Sequence, residues 1–259
     1  MKAVILAGGY ARRMWPLTKN RPKHLLPVAG RPMLDYVMAS IEPVEALDEI
    51  FVSTNMRFKD QFEAYLRDVR TAKRISLFVE DTRSEEEKLG SVGALGYLIR
   101  EKNIDEDLLV IGGDNIFGFK MEDFIEYFHR KRANTIALYD VGDREKARLY
   151  GVVHIDEKCR IIDFYEKPSD PQSTLVSTAC YAFTRKGVRN VLRYLEEEND
   201  PDKMGHFIEW LYRNDDVYGF VFTGVWFDIG SIESYEAANK YFSNIREQTG
   251  ESERCLCKK

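Results

Sequence analysis

Long apolar segments and an excess of basic residues are both missing from this sequence. No apolar run in the 259 residues approaches the roughly 20 residues that a transmembrane helix requires. The first apolar stretch, Ala3 to Ala7, is shorter than the central region of a signal peptide. The formal net charge is -5, whereas general nucleic-acid binding requires a basic stripe. We therefore expect a cytoplasmic protein that has neither a membrane nor a nucleic acid as its partner.

Cysteine is also scarce, with 4 in the chain. Cys159 and Cys180 stand alone inside strand-like segments, where a buried thiol is the simplest interpretation. Cys255 and Cys257 form a C-x-C motif in a polar tail, but no histidine or second cysteine pair stands nearby to complete a zinc site. The cysteines therefore do not predict a metal centre.

Internal repeats and linkers rich in proline, glycine or serine are absent as well. A chain of this length can bury a substantial core without dividing, because α/β folds of roughly 200–250 residues often form one domain. We predict one domain over residues 1–247 and a disordered tail over residues 248–259.

The first half of the chain alternates strand-like and helix-like segments. Buried apolar runs predict strands at Lys2–Ala7, Glu49–Thr54, Ile75–Val79, Leu108–Ile111 and Thr135–Val141. Amphipathic spacing predicts helices at Pro32–Glu42, Arg57–Val69, Gly90–Lys102 and Met121–Arg132. Alternation of this kind predicts βαβ units and a mostly parallel sheet with right-handed crossovers.

The second half has a different character, because a turn at Asp156–Arg160 separates two strand-like runs and predicts a hairpin of Val152–Ile155 with Ile161–Glu166. The remaining predicted elements are strands at Leu175–Thr184, Val217–Phe222 and Val225–Asp228, and helices at Lys186–Glu198, Phe207–Arg213 and Ser231–Ile245. The whole pattern predicts an α/β fold with a Rossmann-like, mostly parallel but mixed sheet, helices on both faces and β insertions in the second half. Ligands of such sheets bind beyond the carboxyl ends of the strands, so residues that follow strands are the candidates for a site.

A glycine-containing loop follows the first strand directly. Gly8 and Gly9 let the backbone approach a ligand and present N–H groups to phosphate oxygens. Arg13 adds a planar cation suited to phosphate, and Lys23 adds a second cation soon after. The loop has neither the spacing of a Walker P-loop nor that of a dinucleotide-binding fold. On the glycines alone, an ordinary strand-to-helix turn with solvated cations is the better interpretation.

Two aspartates follow later strands. Asp114 lies in a G-G-D-N segment, where it could reach a ligand that bulkier neighbours would exclude, although Gly, Asp and Asn also favour turns. Asp228 precedes the last predicted helix, where it could equally begin a capping segment. Their separation in sequence does not indicate whether they lie close together.

The order and spacing of these motifs resemble those of the sugar-phosphate nucleotidyltransferases, the family that includes the glucose-1-phosphate thymidylyltransferases. The first segment reads A-G-G-x-x-x-R-x-x-P-x-T and is followed by P-K-x-L-x-P-V, and later segments read G-D-N, Y-G-V-V, E-K-P and W-x-D-I-G. The resemblance extends from Met1 to about Ile245. It implies that Arg13 and Lys23 bind the triphosphate and stabilise the transferred phosphoryl group. It also implies that Asp114 and Asp228 hold Mg²⁺. The catalytic set that the resemblance implies is therefore Arg13, Lys23, Asp114 and Asp228.

The resemblance also assigns two substrate pockets. For the nucleotide it implies contacts from Ala7, Gly8, Gly9, Arg13 and Gly90, while the acidic stretch 80–88 ahead of Gly90 shows no side chain identifiable as the reader of the base. For the sugar phosphate it implies contacts from Tyr150, Gly151, Glu166 and Lys167. Glu166 would accept hydrogen bonds from sugar hydroxyls and Lys167 would hold the phosphate. Without the resemblance, these two residues would be read as an exposed charge pair before a proline turn.

One departure from the family pattern concerns the phosphate loop. Ala11 and Arg12 stand where relatives usually carry Gly-Thr. Because alanine tolerates a positive φ poorly, we expect a loop of different shape, with the roles of Arg13 and Lys23 retained.

The predicted activity is Mg²⁺-dependent transfer of a nucleoside monophosphate from a nucleoside triphosphate to a sugar 1-phosphate, which releases pyrophosphate and forms an NDP-sugar. The attacking phosphate oxygen is already ionised at neutral pH, so no general base is needed. The histidines are accordingly interpreted as packing or surface residues: His24, His129, His154 and His206.

The first substrates expected are glucose 1-phosphate with dTTP or UTP. One alternative is guanylyl or cytidylyl transfer to another sugar or a small phospho-alcohol. An alternative of another class is a non-catalytic regulatory module on the same fold, which the presence of all four catalytic candidates disfavours. The resemblance also raises a homo-oligomer as a hypothesis, for which the sequence shows no interface.

Overall fold

The computed structural model describes residues 1–249 of the chain. Its last helix continues to Thr249, so the first two residues of the predicted tail are helical. The rest of that tail, residues 250–259 with Cys255 and Cys257, lies outside the described residues. None of the helices in residues 1–249 combines the length and the apolarity needed to cross a bilayer.

Strands and helices alternate along the described chain. The strands are β1 Lys2–Leu6, β2 Pro27–Val28, β3 Arg31–Pro32, β4 Glu49–Asn55, β5 Arg74–Glu80, β6 Leu108–Gly112, β7 Asn115–Phe117, β8 Asn134–Asp140, β9 Gly151–Ile155, β10 Ile161–Glu166, β11 Leu175–Phe183, β12 Val217–Phe222 and β13 Trp226–Asp228. The helices are α1 Met33–Ile41, α2 Lys59–Asp68, α3 Gly90–Glu101, α4 Met121–Lys131, α5 Arg144–Ala147, α6 Arg185–Glu196, α7 Met204–Asn214 and α8 Ile232–Thr249.

The central sheet is mixed and contains 9 strands. Its order runs β5-β4-β1-β6-β11-β9-β10, with β8 joined to β11 and β12 joined to β8. The four strands from β5 to β6 are parallel, and β11 joins them antiparallel to β6. The β9–β10 pair is the hairpin predicted from the sequence. The predicted α/β fold class is confirmed, with the antiparallel additions confined to the second half.

Alternation along the central strands explains why helices cover both faces. In β1, Val4 joins a core beneath α3, α6 and α7, whereas its neighbour Ile5 joins a second core beneath α1, α2 and α4. Both side chains are fully buried, because successive residues of a strand point to opposite faces. A strand buried on both faces reads as a continuous apolar run, which is why β1 was predictable.

A short antiparallel pair outside the main sheet brings together two distant segments. β13 pairs with β7 in a register that sets Asp228 opposite Asn115. The N–H of Ile229 donates to the carbonyl of Asp114 at 3.0 Å. The helix α8 that follows packs over α1 and the loop around β2 through a small core that includes Ile229 and Ala238. This closing segment therefore places Asp228 directly beside Asp114.

Candidate active site

A cavity of about 600 Å³ opens where the parallel strands end. It contains nearly every site residue predicted from the sequence: Gly8, Gly9, Arg13, Lys23, Gly90, Asp114, Tyr150, Gly151, Glu166, Lys167 and Asp228. Ala7 is the exception, because it is buried behind the wall and its N–H donates to the carbonyl of Ser53 at 2.8 Å. The structure therefore brings the predicted phosphate, metal and sugar residues into one space.

The phosphate loop is shaped by its neighbours. A Cβ atom on Gly8 would lie 2.5 Å from the Glu80 carboxyl, so a larger residue there would displace that side chain, and the Asn55 side chain donates to the Gly8 carbonyl at 2.8 Å. A Cβ atom on Gly9 would meet nothing within 4 Å. The backbone at Gly9 is therefore open to a ligand, as the glycine motif predicts.

Ala11 corrects one expectation about this loop. Its φ of 48° and ψ of 44° place it in the left-handed region, so alanine does not avoid a positive φ here. The Thr18 hydroxyl donates to the Ala11 carbonyl at 2.8 Å and helps to hold the turn. The left-handed conformation costs a non-glycine residue about 1–2 kcal/mol, which the surrounding contacts must offset.

The two arginines of the loop differ in their partners. Arg12 donates to Glu86 at 2.8 Å, whereas the exposed Arg13 guanidinium makes no hydrogen bond or ion pair with the described residues. A guanidinium without a protein partner keeps its donors available for a phosphate. The choice of Arg13 rather than Arg12 as the phosphate-binding residue stays a prediction.

Lys23, Asp114 and Asp228 form the central cluster of the site, and Asn115 lies between the two carboxylates. Lys23 forms an ion pair with Asp114. The Asn115 amide nitrogen lies 2.9 Å from Asp114 Oδ1 and 3.5 Å from Asp228 Oδ1. The Trp226 indole N–H donates to Asn115 Oδ1 at 2.8 Å, and this bond points the amide nitrogen at the two carboxylates. The β7–β13 pairing thus holds both carboxylates around one donor.

The charges of this cluster are unbalanced. Burial and the nearby Asp114 charge raise the pKa of Asp228, although Lys23 acts against them. For Asp114 burial also acts upward, but the charge and hydrogen bond of Lys23, together with His24 and the Asn115 hydrogen bond, outweigh it and lower the pKa. Two adjacent carboxylates that share one lysine repel each other, so an additional cation would be stabilised between them.

The sugar side of the cavity is built around the β9–β10 hairpin. A Cβ atom on Gly151 would lie 2.3 Å from the Phe164 ring, so glycine is required to let the strand lie close to that ring. Burial raises the pKa of Glu166, and the Lys167 charge partly opposes this rise. Lys167 has a φ of 50° and donates its N–H to the Tyr150 carbonyl at 3.0 Å. The turn after β10 therefore directs the Glu166–Lys167 pair to the cavity.

The start of α3 forms the opposite wall. Gly90 has a φ of 76°, and a Cβ atom there would lie 2.3 Å from the Pro201 carbonyl. The Ser91 hydroxyl donates to the Asp202 carbonyl at 2.9 Å. Gly90 is therefore required both by its conformation and by its close contact with the segment before α7.

Sequence reasoning missed several residues of this site. Glu80, Asn115 and Trp226 all line the cavity, yet none was assigned a role. The G-D-N segment contains a signal for Asn115, but its partner Trp226 lies 111 residues further along the chain. His24 was interpreted as a packing residue, and burial indeed lowers its pKa to about 3 and keeps the imidazole neutral.

Comparisons with known proteins agree with this geometry. Residues 2–244 match the model of the nucleotidyl transferase family. The bifunctional protein GlmU of Methanocaldococcus jannaschii is 29% identical over 243 residues, which are 93% of this chain and 54% of that protein. The mannose-1-phosphate guanylyltransferase of Mycobacterium tuberculosis is 29% identical over 236 residues, which are 90% of this chain and 62% of that protein.

A solved structure extends the likeness to three dimensions. A protein from Bacillus anthracis, described as a glucose-1-phosphate thymidylyltransferase and crystallised with sucrose, is 25% identical and superposes with a TM-score of 0.80 over 94% of this chain and 96% of that one. The present chain spans only 54% and 62% of the two curated relatives. The family match, the shared fold and the coincident motifs together show that the chain belongs to the nucleotidyl transferase family.

Proposed function

We propose that the chain transfers a nucleoside monophosphate from a nucleoside triphosphate to a hexose 1-phosphate. The observation that carries this proposal is the convergence of three groups in one cavity: the loop with Arg13, the Lys23–Asp114–Asp228 cluster and the Glu166–Lys167 pair. Each group suits a different part of the two substrates. The family relatives with glucose-1-phosphate and mannose-1-phosphate in their names support the choice of a hexose phosphate.

The chemistry needs charge neutralisation more than proton transfer. An ionised oxygen of the sugar 1-phosphate attacks the α-phosphorus, and the bond to the oxygen that bridges to the β-phosphorus breaks, so pyrophosphate leaves with the electron pair. Both substrates are anions and repel each other as they approach. Arg13 and Lys23 would offset this repulsion and stabilise the charge on the phosphoryl oxygens in the transition state.

Asp114 and Asp228 would hold the Mg²⁺ ion that such a reaction uses. No cluster of three or more His, Cys, Asp or Glu side chains capable of holding a metal occurs within residues 1–249. Mg²⁺ does not need one, because it is usually bound by one or two carboxylates together with phosphate oxygens and water. The two carboxylates around Asn115 fit that donor set. When bound, the ion would supply additional positive charge to the transferred phosphoryl group.

The sugar phosphate would lie against the β9–β10 hairpin. Glu166 offers acceptor oxygens to sugar hydroxyls, and Lys167 offers a point charge to the phosphate. Tyr150 packs its ring against Trp226 with centroids 5.0 Å apart, so the aromatic wall of this pocket is continuous with the Asn115 network. The position of the sugar is thereby tied to the position of the two carboxylates.

Pyrophosphate release tests the proposal. The purified chain would be assayed with each common nucleoside triphosphate against glucose 1-phosphate and mannose 1-phosphate, with Mg²⁺ and with EDTA. We expect release that requires both substrates and disappears with EDTA. If the chain bound triphosphates tightly but released no pyrophosphate in any combination of substrates, the result would instead support a non-catalytic regulatory module.

A further inference from the structure

Gly205 is a glycine inside a helix, at a position where the backbone does not require one. It is the second residue of α7, which begins at Met204, and its φ is not positive. Glycine is less favourable than alanine in a helix, because it loses more backbone freedom on folding. The reason for a glycine at this position must therefore lie in its surroundings.

The neighbour that fills the space beside Gly205 is the Glu166 carboxyl group. A Cβ atom on residue 205 would overlap Glu166 Oε2 and would lie 3.2 Å from Glu166 Cγ. Both residues line the cavity. The carboxyl group at the end of β10 thus lies directly against the first turn of α7, where the partial positive charge of a helix N-terminus favours an ionised carboxylate.

No hydrogen bond holds the Glu166 carboxyl group in place. Within residues 1–249, no side chain or backbone N–H donates to its oxygens. Burial raises its pKa, and the charges of Lys167, His206 and Lys203 partly oppose this rise without contacting the group. The location of the carboxyl group therefore depends on the space around it, and Gly205 leaves the part of that space which a single methyl group would fill.

The helix α7 is fixed too firmly to move aside for such a methyl group. Phe207, Ile208 and Leu211 of this helix are fully buried in the core, and the Phe207 ring packs edge-on against the Phe183 ring with centroids 5.6 Å apart. The Glu166 carboxyl group, in contrast, is the end of a flexible side chain that faces the cavity. A methyl group at position 205 would therefore displace the carboxyl group and leave the helix in place.

We propose that Gly205 is a positioning residue for the sugar phosphate, because the space it leaves holds the Glu166 carboxylate where that group accepts hydrogen bonds from sugar hydroxyls. The inference rests on the sugar pocket of the proposed function and adds the first turn of α7 as the wall that sets its depth. Gly205 acts through Glu166 and contributes no side chain of its own.

Gly205→Ala tests this inference in the pyrophosphate-release assay, with the nucleotide and the hexose 1-phosphate that the wild-type chain uses best. We expect KM for the sugar phosphate to rise about 10-fold, which corresponds to the loss of one hydrogen bond to a charged group. KM for the nucleotide and kcat should change little, since the groups around the α-phosphate are untouched. Tm should stay the same or rise slightly, because alanine favours the helix.

Glu166→Ala supplies the decisive background, because it removes the group through which Gly205 acts. This variant alone should raise KM for the sugar phosphate about 10-fold or more. Adding Gly205→Ala to it should have no further effect, since the two positions are coupled by direct contact. Arg213→Ala, a change at an exposed position of the same helix, is the control and should leave KM for both substrates unchanged.

The possible results distinguish a failure of this inference from a failure of the proposed function. If Gly205→Ala leaves KM for the sugar phosphate unchanged, or raises it by the same factor with and without the Glu166 carboxylate, the inference is wrong. A lower Tm with equal losses for both substrates would also contradict it, because the methyl group would then disturb the fold. If the wild-type chain releases no pyrophosphate with any pair of substrates, the proposed nucleotidyl transfer fails and the inference fails with it.

Discussion

Glu80 allows a stability prediction that does not depend on function. Burial raises the pKa of Glu80 from 4.5 to about 7, although the Ser53 hydrogen bond opposes the rise. At pH values between 4.5 and about 7, the Glu80 carboxyl group keeps a proton in the folded state that it has lost in the unfolded state. The free energy of unfolding therefore falls as the pH increases through this window. Since one pKa unit corresponds to about 1.4 kcal/mol, the loss above pH 7 is about 3 kcal/mol.

Glu80→Gln removes this titration and keeps an acceptor for the Ser53 hydroxyl. At pH 8 the variant should be more stable than wild type by about 3 kcal/mol, a rise in Tm of roughly 6–12 °C for a chain of this size. Near pH 4.5 the two proteins should unfold at similar temperatures, because the wild-type carboxyl group is then largely protonated in the folded state. Other titrating groups are common to both proteins, so the difference between them isolates Glu80.

Thermal unfolding followed by circular dichroism at several pH values between 4.5 and 8 would measure this difference. Glu126→Gln, at an exposed position on α4, controls for the loss of a negative charge. A difference between Glu80→Gln and wild type that does not change with pH would refute the reasoning. So would a loss of stability at pH 8, since it would mean that a cation neutralises the carboxylate.

Three further predictions concern the proposed reaction. Arg13→Ala should lower turnover by about 10²–10³-fold with Tm unchanged, whereas Arg130→Ala on α4 should not affect turnover; near-normal rates for Arg13→Ala would exclude Arg13 from the mechanism. Asp228→Asn should raise the Mg²⁺ concentration for half-maximal pyrophosphate release about 10-fold or more, because a neutral amide binds the cation less strongly; an identical metal titration would count against Asp228 as a ligand. Lys167→Ala should raise KM about 10-fold for sugar phosphate but little for nucleotide, measured in the same assay; the opposite pattern would misplace the sugar pocket.

Much of the fold was predictable because burial alone determines its pattern. β1 lies between two helical layers and is buried on both faces, which is why its sequence is a continuous apolar run of the kind that predicts a buried strand. The hairpin of β9 and β10 was equally clear from alternation on each side of a turn. The short elements β2, β3, β7 and α5 were missed, because two to four residues carry too little periodicity to be recognised.

The site was only partly predictable, because its contacts join distant segments. Motif resemblance located Arg13, Lys23, Asp114 and Asp228, and the structure places all four around one cavity. Motif resemblance could not reveal the hydrogen bond from Trp226 to Asn115, because that bond depends on the register of β13 with β7. Glu80 was also hidden, because its burial depends on the packing of β5 against β4 and on the Gly8 loop.

Ala11 shows where local preference gives way to tertiary contacts. Alanine disfavours the left-handed region, so its presence in the loop predicted a change of shape. In the structure Ala11 adopts that conformation, and Thr18 binds its carbonyl. Tertiary contacts in the folded state therefore override the backbone preference of this single residue.

A crystal structure of the chain with a nucleoside triphosphate, Mg²⁺ and a hexose 1-phosphate bound would test the central claim most directly. We predict one Mg²⁺ ion bound by both Asp114 and Asp228, Arg13 on the triphosphate and Lys167 on the sugar phosphate. A nucleotide bound away from the two carboxylates, or carboxylates that do not share the ion, would contradict it.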